Sequence, residues 1–401
     1  MVCLSAGLTA GRAHGEEIPQ IRVVGEEIVA EGADLRWGSM EFHPYLALNW
    51  EWIDNLFYEK KGGDDDTLVT ASPGVHINWP FAGNHVAKLD LQTQLRHYFD
   101  NPEVNNHQDL SDALVKLDYD RFWLEFRGKY AYLQEVGDPQ FTTRLARVVA
   151  DASFQAGVRF ERFDMIFGYE KRLRMWPRQR DHGLEYSEDR GHLTFDIKMT
   201  PTVQAFTRYE FHAVDYDGAL EGGQIRRNDQ NQGLALIGFR GTWGPSLGWS
   251  IAAGSEHVRL HQRNRTLADI QGETASDHPV IRASAVWDAI PERTKVKFSG
   301  TRDVALSVTS DYADTTSFRL EADHRWSQRL TSNAYAGYEF FNRAKGTDFK
   351  YYSAGLSTIY RITRWSSVYT RYEFQHRDTL DDPGAGDHKR NAVQIGVIFA
   401  W

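Results

Sequence analysis

The sequence predicts an all-β fold: a single closed antiparallel transmembrane β-barrel of about eighteen strands, with short periplasmic turns and longer extracellular loops. Three observations predict it. Apolar and polar residues alternate with a period of two along most of the chain. The connections between these runs alternate short and long. The chain ends in NAVQIGVIFAW, where Val393, Ile395, Val397, Phe399 and Trp401 form one apolar row. A closed sheet pairs every backbone N–H and C=O without leaving an edge, which is what hydrocarbon demands of a β protein.

Composition bounds the alternatives. Of 401 residues, 13% are aromatic (18 Tyr, 22 Phe, 12 Trp) and 25% are charged. No run of eighteen apolar residues exists, which excludes a helical membrane protein. The aromatic content argues against disorder. A net charge of −9 without any basic block argues against a nucleic-acid partner. The only cysteine is Cys3, so neither an intramolecular disulfide nor a cysteine-based zinc site is available.

The N-terminal residues 1–15, MVCLSAGLTAGRAHG, are small and apolar and end in the small-x-small pattern Ala13-His14-Gly15. They read as the tail of a signal peptide, the alternative being a flexible N-terminus. Residues 16–40 are expected to form a periplasmic lead-in, one able to insert into the lumen, and residues 41–401 the barrel.

Along the chain the alternation repeats. HVAKLDLQTQLRHY sets Ala87, Leu89, Leu91 and Leu95 against Lys88, Asp90, Gln92, Gln94 and Arg96. FWLEFRGKYAY sets Phe122, Leu124, Phe126, Tyr130 and Tyr132 against Glu125, Arg127 and Lys129. From Val148, seven small or apolar residues ending at Phe160 oppose Asp151, Ser153, Gln155, Gly157, Arg159 and Glu161. FDMIFGYEKRLRM sets Phe163, Met165, Phe167, Tyr169 and Leu173 against Asp164, Glu170, Arg172 and Arg174, with Lys171 the exception. SFRLEADHRW follows the same rule. A helix would scatter these residues around its axis; a strand puts them on two faces. The string TRYEF occurs at 207–211 and at 370–374. Read as barrel wall, it sets Tyr209, Phe211, Tyr372 and Phe374 outward, and Arg208, Glu210, Arg371 and Glu373 inward.

Short connections fall at 80–84, 118–121, 161–163, 200–202, 243–246, 290–293, 327–329 and 362–364. Mostly longer polar ones, such as 54–66, 217–230, 262–276 and 378–388, lie between them. The strand count is eighteen from Glu41, with sixteen as the alternative. A soluble sandwich alternates too. The two lengths of connection and the aromatic C-terminus, with Phe399 and Trp401 read as the signal for barrel assembly, distinguish an outer-membrane barrel from it.

A barrel of this size holds an aqueous channel. The inward residues Arg96, Arg127, Lys129, Arg159, Arg172, Arg174, Arg208, Glu210, Arg371 and Glu373 are therefore candidates for meeting a solute. Arg178 and Arg180 join them, because RLRMWPRQR clusters four arginines at an external rim. The alternative for each is a structural ladder of ion pairs that holds the wall. Trp123 and Tyr369, also inward, suit either sugar stacking or wall packing. The run GGDDD at 62–66 reads as a solvated loop, with a divalent-cation site as the alternative. No nucleophile motif or positioned triad occurs, so no enzyme, cofactor or metal is expected.

Residues Met40 to Pro80 resemble the opening hairpin of the putative β-barrel porin 2 family. The resemblance rests on His43-Pro44, then Asp54-Asn55-Leu56-Phe57, then Asp66-Thr67-Leu68 and Ser72-Pro73-Gly74. It implies an outer-membrane barrel of a kind often associated with capsule or exopolysaccharide production, and it assigns no functional residue. The expected function is a channel for a hydrophilic, saccharide solute, most specifically export of an anionic exopolysaccharide. The alternative is a surface barrel plugged by its own loops. Expected partners are outer-membrane lipids, the barrel-assembly machinery and polysaccharide or periplasmic export components.

Overall fold

The computed structural model describes residues 35–56, 63–135, 145–175, 185–216, 229–261, 275–306, 312–343, 348–380 and 387–401. The expected signal peptide and most of the lead-in lie outside these. The strands are β1 (Leu35–Trp37), β2 (Met40–Ile53), β3 (Asp66–Phe81), β4 (His85–Tyr98), β5 (Asn106–Asp118), β6 (Phe122–Glu135), β7 (Leu145–Arg159), β8 (Phe163–Met175) and β9 (Tyr186–Lys198). They continue as β10 (Val203–Tyr216), β11 (Asp229–Trp243), β12 (Leu247–His261), β13 (Ala275–Ile290), β14 (Thr294–Leu306), β15 (Tyr312–Arg325), β16 (Leu330–Arg343), β17 (Phe349–Arg361), β18 (Ser366–Thr379) and β19 (His388–Ala400).

Each strand from β2 to β19 pairs antiparallel with its neighbours in sequence, and β19 returns to β2, from Ala392–Ile53 to Ala400–Tyr45. The sheet is a closed eighteen-stranded barrel. The short β1 pairs with the foot of β2, Trp37 opposite Met40, just below the point where β19 ends. The short connections fall where the alternation placed them. Gly83 (φ 87°) and Gly244 (φ 64°) sit in two of these turns, at a φ that suits glycine.

Register fixes the faces. Leu48, Trp50, Phe126, Phe167, Tyr209, Ile237, Phe239, Leu320, Tyr372 and Ile395 are exposed on the outer row, while their sequence neighbours turn to the inner face. A soluble protein does not carry so continuous an exposed apolar surface; a lipid-facing wall must. The two ends of the outer row differ. Its periplasmic end carries Trp79, Phe122, Phe163, Trp243, Trp287 and Phe399, and no Asp, Glu, Lys or Arg among the described residues. Its extracellular end carries acid–base pairs. Lys171, the exception to the alternation in β8, faces outward and bonds Asp189 at 3.3 Å, and Tyr169 donates to the same carboxylate. His257 and Asp277 meet at 2.9 Å.

Several inward rings lie flat across glycines directly opposite on the next strand: Tyr45 over Gly74, Trp123 over Gly157, Phe206 over Gly238, Tyr335 over Gly355 and Tyr369 over Gly396. A missing Cβ leaves room for the ring, which in turn covers bare backbone. The Tyr369 hydroxyl continues across to donate to Asn49 of β2. These plates make the wall thick where it carries little side chain. Gly396→Val is expected to lift the Tyr369 ring and cost about 1–3 kcal/mol by overpacking. Gly128→Ala, where an added methyl meets nothing within 4 Å, is expected to be neutral. Urea unfolding in detergent micelles compares the two.

The expectation of an inward polar row fails at the extracellular end. There Leu110, Ala131, Leu133 and Val149 form one inward apolar cluster, and Ala313, Phe341, Phe349 and Tyr351 another. A third joins Ile53, Leu68, Tyr98 and Ala392 to Leu56 and Val104, which come from the connections beyond β2 and β4. These connections fold into the mouth of the barrel, and inward side chains beneath them are shielded from water. Asp66 anchors one of them. Its carboxylate accepts from the backbone N–H groups of Asp100 and Asn101 and from Asn101 Nδ2, at 2.9–3.1 Å. Asp66 is thus a buried tie, not part of a solvated loop, and no group of His, Asp or Glu among the described residues is arranged to hold a metal.

Candidate functional site

The lumen wall takes its charge from the period of the strand. Residues two apart share a face, so an arginine and a carboxylate at that spacing meet. Arg127 Nε lies 2.7 Å from Glu125, Arg172 Nε 2.8 Å from Glu170, Arg208 Nε 2.7 Å from Glu210 and Arg371 Nη2 2.7 Å from Glu373. Other pairs cross between strands. Arg174 Nη1 meets Asp151 at 2.5 Å, Arg159 Nη1 meets Asp118 at 2.8 Å and Lys129 Nζ meets Asp112 at 3.5 Å. Arg96 Nη2 donates to Gln94 at 3.1 Å. All ten described members of the candidate set are thus on the inner face. Arg178 and Arg180 lie outside the described residues. Phe399 is on the lipid-facing row of β19, and Trp401 follows that strand directly.

Water access divides the set in two. Over β7 to β14 most of the charges are packed into the wall, Arg159 at its periplasmic end being an exception. Glu188 is fully buried and gathers Arg172 at 3.9 Å, Arg190 and His212 at 2.6 Å. His212 Nδ1 in turn meets Gln232 at 2.5 Å. Asp196, also fully buried, meets Arg240 at 2.7 Å. Arg208 continues through Glu210 to Arg282, whose guanidinium also binds Asp303. Arg174 is 3% exposed. Desolvated charges of this kind are held by their partners and offer little to a passing solute.

From β15 round to β6 several of the charges reach water, although Arg377 and Asp66 are buried. The side chains of Arg127 and Arg371 are each 50% exposed, and that of Lys129 is 40% exposed. The Arg319 guanidinium lies 4.4 Å over the Tyr335 ring, and Arg371 hydrogen-bonds the hydroxyl of the same tyrosine. Glu51 of β2 has Arg390, Arg96, Arg371 and Glu373 as its charged neighbours. Arg319, Arg371, Arg390 and Arg96 therefore form a track across β15, β18, β19 and β4, against the carboxylates Glu321, Glu373 and Glu51. Four guanidinium groups against three carboxylates leave the track positive, and Arg319 and Arg371 are its half-exposed part.

Arg390, Glu51 and Tyr335 were absent from the sequence-based candidates. Parity alone would have added them, since Arg390 shares its row with Gln394, Glu51 with Asn49, and Tyr335 with Glu339. Their convergence depends on the closure of β19 on β2.

The family model described as putative beta-barrel porin 2 matches residues 31–400. No curated protein matches the chain. Solved structures align with it at low identity. The outer membrane protein OpdK of Pseudomonas aeruginosa aligns at 10% identity over 90% of this chain and 99% of its own, with a TM-score of 0.45. OpdL of the same organism aligns at 11% identity over 91% and 99%, with a TM-score of 0.48. OccAB1 of Acinetobacter baumannii aligns at 10% over 91% and 97%, also at 0.48.

Proposed function

The chain belongs to the putative beta-barrel porin 2 family, and from that premise we propose that it is an outer-membrane channel for a hydrophilic anionic saccharide, most specifically an exported exopolysaccharide. The observation that carries this reading is the water-accessible track of Arg319, Arg371, Arg390 and Arg96, with Tyr335 set among them. Guanidinium groups meet carboxylate or sulfate through paired hydrogen bonds. Carboxylates beside each arginine keep any one contact weak, so a charged polymer moves from one to the next without being trapped. Tyr335, laid flat over Gly355, offers a ring face to the sugar. In this reading lipids surround the wall, the assembly machinery reads Phe399 and Trp401, and periplasmic export components deliver the polymer.

Planar-bilayer recording tests it. The wild-type protein is expected to conduct with a preference for anions and to be blocked by oligogalacturonate. Arg319→Gln, Arg371→Gln and Arg390→Gln together are expected to remove the preference and weaken the block about tenfold, a loss of about 1.4 kcal/mol. Block that is unchanged in the triple variant would refute the assignment. The second reading, a plugged barrel acting as scaffold, draws on the apolar cluster of Leu56 and Val104 within the mouth. A silent bilayer at all voltages would favour it.

A further inference from the structure

β13 and β14 rise together from their periplasmic turn and part near the top. Their register runs from Ile290–Thr294 to Ile281–Arg302 and ends there, although β13 continues to Ala275 and β14 to Leu306. Extended by two positions, it would set Pro279 opposite Val304. Proline has no N–H for a ladder and is confined to edges and bulges of sheets. Side chains take over the freed edge. The Val304 N–H lies 3.4 Å from Glu256 Oε2 and 3.2 Å from Asp303 Oδ1. Arg282 of β13 ties Asp303 of β14 at 2.8 Å and Glu210 of β10 at 2.9 Å. His278 of β13 reaches Asp314 of β15 at 2.7 Å.

A wall in hydrocarbon pairs its backbone completely unless the irregular stretch lines a watery cavity. At this seam the side chains of Glu256, Asp303, His278 and Asp314 stand in place of ladder hydrogen bonds. On the outer face beside it stands Arg302. It is exposed, sits on the same row as the lipid-facing Phe298, and makes no hydrogen bond or ion pair among the described residues. Lys171, elsewhere on the lipid-facing row, has Asp189. An ionisable side chain on a lipid-facing row is costly and calls for a partner. Around Arg302, Ile281 and Phe318 are apolar and exposed.

We propose that the β13–β14 seam is a lateral portal for an anionic single-chain amphiphile. The acyl chain lies in the membrane against Ile281 and Phe318. Its carboxylate or phosphate is met by Arg302 and enters between Pro279 and Val304, toward the lumen. This route is separate from the arginine track, which lies on β15, β18, β19 and β4, so the two stand or fall independently.

Acyl chains carrying a nitroxide can report entry. In a Cys3→Ser background, bimane is attached either at Ser284→Cys, lumen-facing on β13 below the seam, or at Gln155→Cys, lumen-facing on β7. The full chain is reconstituted in vesicles with doxyl-stearate or with doxyl-labelled phosphatidylcholine, and folding is checked by heat-modifiable gel migration. Doxyl-stearate is expected to quench position 284 at least threefold more than position 155, while the phosphatidylcholine label treats both alike. Arg302→Gln is expected to bring position 284 down to the level of 155, and Arg302→Lys to retain the excess. Pro279→Val, which restores an N–H and lets the ladder extend, is expected to reduce it too. Equal quenching by stearate at the two positions, or an excess indifferent to Arg302→Gln, overturns the proposal.

Discussion

Arg282→Met is expected to cost the barrel about 3–5 kcal/mol, because it strands the buried carboxylate of Asp303 and leaves Glu210 to Arg208 alone. The Arg282 side chain is 6% exposed, and its partners Glu210 and Asp303 are 15% and 11% exposed. The arginine donates through Nε and Nη2 to Asp303 Oδ2 and through Nη1 to Glu210 Oε1. Methionine fills much of the same volume, so little of the loss comes from packing. It comes from leaving negative charge without a counter-charge where water does not reach. Neutralising the pair in Arg282→Met and Asp303→Asn, with Glu210 left to Arg208, is expected to recover most of the stability, since a buried ion pair offsets little more than its own desolvation. With the Asp303→Asn single variant added, the cost of the double variant minus the sum of the two singles measures the coupling. Urea titration in detergent or lipid vesicles gives these values. A double variant no better than Arg282→Met alone would mean that Arg282 holds the wall by shape instead.

Alternation revealed the wall because charge on a lipid-facing row is costly and rare, and the lumen-facing row at mid-depth has no need to be apolar. That asymmetry alone puts Arg208 and Glu210 on one face and Tyr209 on the other, and the register of β10 agrees. The same logic does not separate Arg174 from Arg371. Both lie on the inner row with a carboxylate in reach, yet one is buried against Asp151 and the other is half in water. What distinguishes them is how far the wall bends and what packs above it, and neither has a period. Ile53, Leu68 and Tyr98 show the limit from the other side. They occupy the inner row but belong to an apolar cluster, because Leu56 and Val104 fold down onto them from the connections. Pro279 was visible as a proline in a strand. Its consequence required knowing that Val304 would stand opposite it on β14 and turns to Glu256 instead.

Ile237→Arg is expected to destabilise the folded barrel by about 2–4 kcal/mol in lipid, the cost of a cation near the middle of the hydrocarbon band. Ile237 is 66% exposed on the outer face, between Thr207 of β10 and Ala253 of β12. The arginine has no acidic neighbour on those strands at its level, and its own side chain must stretch toward a headgroup to stay hydrated. Lys171 shows what a tolerated outward cation requires, namely Asp189 beside it and Tyr169 bonded to the same carboxylate. Gln155→Arg is the matched control, an inward position on β7 opposite Glu125 of β6, and is expected to change stability by less than about 1 kcal/mol because the new charge meets water and a carboxylate. The difference between the two variants reports the side of the wall and not the residue introduced. If both variants unfold at the same urea concentration, the outer row is not in contact with hydrocarbon, and the reading of this chain as a membrane barrel fails with it.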